Sequence, residues 1–318
     1  MPFIERSGRK LGLGAAVASL ALLASACGGS EEGGVSTESS ESESAGGGEK
    51  SISIAVIPWD EDIAVSNLWK VVLEEKGYTV ELQNVDVAPM FEGIAQGDID
   101  LFLDTWLPGT HADYWEQHQD NVEDLGSWYD NATLELTVPS YVEDVNSIAD
   151  LKGNEDMFGG EIVGIESGSG LVRTTKEEAI PTYSLDDYTL VESSTSAMLT
   201  ELDDAIKNEE PIVVTLWRPH IAYSDYDLKD LEDPEGAMGE GESIHAIGRT
   251  GFSEDFPEVN EWMQEFAMDD PQLQSLEHLI LNENEDDPEA GARAWLQENP
   301  DYLSGIMGED AEGLDFSS

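Results

Sequence analysis

From residue 51 onward the sequence alternates short apolar runs with longer amphipathic ones, and that alternation admits few folds. Residues 51–59 read as a strand, 63–76 as a helix closed by Gly77, and 79–85 as a second strand. A helix over 88–96 leads through Gly97 and Asp98 to a strand over 100–106, and a further helix spans 110–119. Such βαβαβ order marks an α/β fold on a mostly parallel sheet. Residues 134–142 read as a strand whose Pro139 confines it to an edge or a crossover. A second series follows, with strands over 161–166, 188–193 and 212–217 and helices over 171–180 and 196–208. After a strand over 243–249 the pattern is helical: 258–268, 273–282 and 289–298. A helical tail without strand partners of its own is expected to pack back on the first sheet. Two lobes follow, 51–139 plus 245–318 and 140–244, with two crossings that form a hinge.

Two of the expected strands end alike. Residues 101–111 read L-F-L-D-T-W-L-P-G-T-H, and residues 213–220 read V-V-T-L-W-R-P-H. Apolar runs this short, with turn residues behind them, read as buried strands. Ligands of open α/β sheets bind just beyond the carboxyl ends of the strands, so Trp106 and Trp217 sit where a ligand would sit. Pro108 and Pro219 cannot continue a ladder but suit the first turn of a following helix. Trp59, before Asp60-Glu61-Asp62, stands in the same setting. Three tryptophan faces on three strand ends could form a box. A quaternary ammonium has no N–H to donate, so aromatic faces and apolar contact are what can hold it. Gly168-Ser169-Gly170 opens the helix at Leu171 and offers backbone N–H groups to a carboxylate or phosphate, although the same triplet is common as a bare turn. His111 could donate to an anion; His220, directly after Pro219, reads as structural.

Charge narrows the partners. The chain has 69 acidic side chains against 14 basic, a formal net charge of −55. Nucleic acid, which needs a basic footprint, is excluded. Eight Trp, nine Tyr and eight Phe argue for packed cores under a solvated acidic surface rather than disorder. Self-repulsion of this size favours surroundings where salt screens it, and high external salt is expected.

Residues 1–26 carry Arg6, Arg9 and Lys10 and then sixteen uncharged, mostly apolar residues, the layout of a secretory signal. They end L-A-S-A before Cys27, the sole cysteine, which resembles a bacterial lipobox with lipid attachment at Cys27. Residues 27–50 are Gly, Ser and Glu and little else, a flexible tether. The fold is thus expected outside the cell membrane, held by a lipid anchor.

The segments W-D-E-D-I-A (59–64), T-W-L-P-G-T-H (105–111), V-G-I-E-S-G-S-G (163–170), V-T-L-W-R-P-H (214–220) and E-G-A-M-G-E-G-E-S-I-H (235–245) occur in family order. Over roughly residues 51–300 the chain resembles the glycine betaine and choline substrate-binding proteins of ABC importers, the OpuAC-type family. The resemblance implies a two-lobed periplasmic-binding-protein fold with a C-terminal helical segment, a quaternary-ammonium ligand, a membrane permease as partner, and no cofactor or metal. It makes Trp106 and Trp217 box walls and His111 a carboxylate donor. Trp59 and the amides of Asp60 and Glu61 fall in the first ligand loop, and Gly168, Ser169 and Gly170 join the carboxylate end. Met268 stands where some members have a third box Trp, and it offers no π-face. An acidic side chain such as Asp60 beside the box would favour choline. The rival class is a carbohydrate-active hydrolase with a Trp-lined cleft. No G-x-S-x-G, H-E-x-x-H or Walker pattern supports an enzyme, and with 69 acids carboxylate pairs carry no information.

Overall fold

The computed structural model describes residues 50–317; the signal segment, Cys27 and all but the last residue of the tether lie outside the described residues. The chain opens with β1 (Ser51–Val56), α1 (Asp60–Glu75), β2 (Thr79–Asn84), α2 (Val87–Gln96) and β3 (Leu101–Leu107). Next come α3 (Ala112–His118), β4 (Val122–Pro139), β5 (Glu161–Val163), α4 (Gly170–Thr174), α5 (Ile180–Tyr183) and β6 (Thr189–Val191). α6 (Thr195–Asn208), β7 (Val214–Arg218), α7 (Ala222–Asp225), β8 (Leu228–Asp230) and β9 (Glu242–Arg249) complete the strands. The rest is helical: α8 (Phe252–Asp255), α9 (Pro257–Glu265), α10 (Asp270–Glu277), α11 (Pro288–Glu298) and α12 (Tyr302–Met307).

The strand order is β2-β1-β3-β9-β4-β7-β5-β6, with β8 beside β4. The outer strands of each half are parallel, whereas the pairings of β9 with β3 and β4, and of β4 with β7 and β8, are antiparallel. The expected mostly parallel sheet therefore holds only for the flanks. The middle is antiparallel because β4 and β9 carry the chain between the halves in opposite directions.

β4 is the connecting element. Up to Ala132 it pairs with β9, and from Thr133 to Thr137 with β7. The pairing with β9 slips three times, between Asp124 and Gly126, Ser127 and Tyr129, and Asp130 and Ala132. Such bulges bend a strand and increase its twist, which suits a strand shared by two half-sheets. Pro139 ends β4 opposite Leu228 of the short outer strand β8. The returning crossing ends at Glu242, whose partner is Ala132, so the two crossings lie side by side.

β3 lies between β1 and β9 and is buried along nearly its whole length, which accounts for its unbroken apolar run. α1 begins with three buried acids, and the chain turns beyond it at Gly77 with φ of +85°. The C-terminal helices return to the first half: Arg293 of α11 meets Glu75 at 3.1 Å, and Lys70 of α1 meets Glu289 at 3.2 Å. Phe266 joins the core between Trp69 and Trp128, with ring centroids 5.3 Å from each.

Candidate functional site

The tryptophans are brought together at the ends of elements. Trp59 precedes α1, Trp106 lies near the end of β3, and Trp217 near the end of β7. They line one cavity with Glu61, Thr110, His111, Leu134, Ile165, Ser169, Gly170 and Leu171. Residues from both half-sheets contribute. The halves also touch across the cleft: Tyr114 donates to Gly168 O at 2.9 Å, and Arg173 donates to Gly109 O at 3.2 Å.

Each indole N–H is already engaged. Trp59 Nε1 donates to Glu166 Oε1 at 2.5 Å, Trp106 Nε1 to Asp104 Oδ1 at 2.8 Å, and Trp217 Nε1 to Glu61 Oε2 at 2.9 Å. None of the three has a free N–H for a ligand, so they offer ring surface alone. Two carboxyls beneath them are deeply buried. Burial, aided for Glu61 by the neighbouring Asp104, raises Glu61 well above the carboxylate range, and burial pushes Asp104 up to about 7.

The polar side is built from His111 and the start of α4. The loop after β3 curls so that His111 N–H donates to Trp106 O at 3.1 Å, while Trp106 N–H donates to His111 Nδ1 at 3.0 Å. A ring nitrogen that accepts carries no proton, so the neutral ring holds its hydrogen on Nε2. Nε2 is buried on the cavity wall without a partner. Burial, helped by the Arg173 charge, pulls the ring down to about 3, which keeps it neutral. The ring stacks on Trp59 with centroids 5.7 Å apart. At the start of α4, Ser169 caps the helix by accepting Val172 N–H at 3.2 Å. The preceding first-turn amides, those of Gly170 and Leu171, have no intrahelical acceptor, and both residues line the cavity.

Glu242 holds the His111 loop in place. Its carboxylate accepts N–H bonds from Gly109 at 2.7 Å and Thr110 at 2.9 Å, and also the Thr110 hydroxyl. Pro108 and Pro219 do not open helices; both follow cis peptide bonds and lie in loops ahead of α3 and α7.

Other candidate residues stand elsewhere. Successive residues of a helix point about 100° apart, so the three acids of α1 diverge. Asp60 faces His220, with Oδ2 3.2 Å from Nδ1, and lines a different cleft. Asp62 accepts Ile57 N–H at 2.7 Å and the Ser66 hydroxyl at 2.9 Å. Only Glu61 reaches the cavity, and it does so as the acceptor for Trp217. Gly168 lies outside the cavity wall, its carbonyl bound by Tyr114, while Ser169 and Gly170 are in it. Met268 is buried, with its N–H on Trp128 O at 3.0 Å, and is not part of the wall; Trp59 is the third tryptophan there. Sequence reasoning missed Glu166, Asp104, Thr110, Leu134, Ile165, Leu171 and Glu242. Among the described residues no cluster of three or more His, Cys, Asp or Glu suits a metal ion, and no helix is long and apolar enough to cross a membrane.

Two half-sheets joined by adjacent crossings and closed on a cavity lined from both define a two-lobed substrate-binding protein of the periplasmic-binding-protein fold. Residues 50–298 match OpuAC, the substrate binding domain of ABC-type glycine betaine transport systems, and the chain belongs to that family. It is 34% identical to a glycine betaine, L-proline ABC transporter binding protein (ProX) from Borrelia burgdorferi, with a TM-score of 0.78 over 84% of this chain and 100% of that one. Lactococcal OpuAC in its closed-liganded conformation with glycine betaine is 32% identical, with a TM-score of 0.76 over 81% of this chain and 99% of that one. The glycine betaine/carnitine transport binding protein GbuC of Listeria monocytogenes serotype 1/2a (strain 10403S) is 39% identical over 146 residues, 45% of this chain and 47% of that protein. The chain thus matches about half the length of this curated relative.

Proposed function

We propose that this protein captures glycine betaine outside the cell and delivers it to the membrane permease of an ABC importer. One observation carries the reading: all three cavity tryptophans have their N–H groups taken by acidic side chains, while His111 Nε2 is left unpartnered on the same wall. A trimethylammonium group needs no hydrogen-bond partner and gains about 0.5–2 kcal/mol from each desolvated aromatic face. A carboxylate needs N–H donors, and His111 with the Gly170 and Leu171 amides supplies three. A small zwitterion with these two ends answers the whole wall.

The lobes assigned to this role are the half-sheets on either side of the crossings at Ala132 and Glu242. Cys27 at the end of the apolar leader supports lipid anchoring, and the acidic excess supports work at high salt. Calorimetric titration of the protein in molar NaCl with glycine betaine, choline and proline betaine tests the reading. Betaine binding tighter than choline is expected. Choline-selective binding would reassign the polar end to the Glu61 carboxyl, and no heat from any of the three would refute the ligand.

A further inference from the structure

Two of the three indole–carboxylate bonds join opposite lobes. Trp59, in the first lobe, donates to Glu166, which follows β5 in the second. Trp217, in the second lobe, donates to Glu61 in the first turn of α1 in the first. The exchange is reciprocal: each lobe supplies a tryptophan to the other's carboxyl. Trp106 differs, since its acceptor Asp104 lies two residues away on the same strand. Glu166 is itself steadied by Thr195, whose hydroxyl donates to Oε2 at 3.1 Å. Glu61 is buried to 1% exposure, so its hydrogen bond to Trp217 is shielded from water.

We propose that Glu61 and Glu166 are positioning residues that make assembly of the aromatic box and closure of the lobes a single event. In an open cleft Trp106 alone keeps its anchor and stands as a fixed wall. The Trp59 and Trp217 N–H groups then face water, and their rings lose the partners that orient them. Closure restores both acceptors together and sets the remaining two walls around the cation. A ligand that cannot support closure meets one ordered ring instead of three. This inference rests on the proposed quaternary-ammonium ligand, and it assigns to the two carboxyls a role that touches the ligand only through the tryptophans.

The test is a double-mutant cycle in the full chain, read by titration with glycine betaine. Glu166→Ala is expected to weaken binding about tenfold, the scale of one hydrogen bond to an acidic acceptor. Glu166→Gln, whose side-chain oxygen can take the same N–H, should stay within about threefold of the parent. In a Trp59→Phe background, which keeps a ring face and lacks the N–H, Glu166→Ala should add almost nothing. The pair Glu61 and Trp217 should behave likewise. Losses that multiply in the double variant, or a Gln variant as weak as the Ala variant, overturn the proposal. If the parent takes up no glycine betaine, the ligand reading fails separately, and hydrogen exchange of the indole N–H groups by NMR decides the proposal. Slower exchange at Trp59 and Trp217 in the parent than in Glu166→Ala and Glu61→Ala respectively supports it; equal exchange overturns it.

Discussion

Gly170 is where closure can be blocked by a single methyl group. Its φ is not in the left-handed region, so the backbone itself accepts any residue; the constraint is the approach of the other lobe. A Cβ built on Gly170 would lie 2.1 Å from Thr110 O and 2.8 Å from Thr110 C, both main-chain atoms. Thr110 cannot step aside, because Glu242 grips its N–H and hydroxyl. Restoring an ordinary contact of 3.4 Å from 2.1 Å requires the lobes to part by about 1.3 Å. A ligand carboxylate held by His111 on one lobe and by Gly170 and Leu171 on the other would see one set of N–H···O distances stretch from about 2.9 Å to beyond 4 Å. Losing one or two charge-assisted bonds costs about 2–5 kcal/mol, or roughly 30- to 5000-fold in affinity. Calorimetry with glycine betaine measures that loss, and small-angle scattering of the saturated protein should show a cleft less closed than in the parent. Without ligand, Gly170→Ala should melt no lower than the parent, and Gly→Ala at a compatible site can add about 0.4–1 kcal/mol through the unfolded chain. Parental affinity together with a fully closed liganded form would refute the reasoning.

Four further outcomes are expected. Trp106→Ala and Trp217→Ala should each weaken betaine binding by about 1–3 kcal/mol in the same titration, and unchanged affinity in both would move the box elsewhere. Asp104 is raised from 3.8 to about 7 by burial, so the folded state holds its proton more tightly than the unfolded chain, and the stability this group confers falls as pH rises from about 4 to 7. Asp104→Asn, which still accepts from Trp106, should therefore flatten the decline in urea midpoint between pH 5 and pH 8 at fixed salt; parallel pH curves would argue against it. Glu242→Ala leaves the Gly109 and Thr110 N–H groups without acceptors and should cost about 2–4 kcal/mol of stability by denaturant titration, with Glu242→Gln recovering part. Melting temperature should rise from low salt to about 1 M NaCl as the acidic surface is screened, and a flat series would remove the case for a high-salt habitat.

Much of the site was legible because its parts lie at strand ends with strong local signals. Trp59, Trp106 and Trp217 each close an apolar run before turn residues, and His111 falls five residues beyond Trp106, close enough for one loop to bond both ends. The carboxyls behind the rings were not legible. Glu166 and Glu61 lie 107 and 156 residues from their tryptophans, and 69 acids give no reason to single out two. The first half of β4 escaped because Gly126, Asp130 and Asn131 break its alternation where it bulges against β9; a strand that bends between two lobes loses the period by which strands are read. Met268 was placed by analogy of position, but its backbone is tied to Trp128, in the core that Trp128 shares with Phe266. Pro108 and Pro219 marked the ends of strands correctly yet belong to loops, because the chain uses the residues after them to bring His111 and His220 back against their own strand ends.

The acidic surface and the site pull in different directions. A field of −55 formal charges concentrates cations of every kind around the protein and repels carboxylates. A preference for a zwitterion over choline would therefore have to arise locally, from donors that recognise the anionic end after water has been excluded. A charged His111 would be drawn on by the same acidic field and would titrate with external pH. The buried, neutral ring avoids both: its tautomer is fixed by the Trp106 N–H, and its pKa near 3 keeps Nε2–H a donor from mildly acid to alkaline conditions. The other two donors are main-chain amides, which do not titrate at all. With a ligand of zero net charge and neutral donors, affinity at the carboxylate end should vary little with salt, whereas a net cation such as choline should bind more weakly as salt screens the surface. If the solute is glycine betaine, a strongly acidic surface and an affinity that salt leaves unchanged are compatible in one protein.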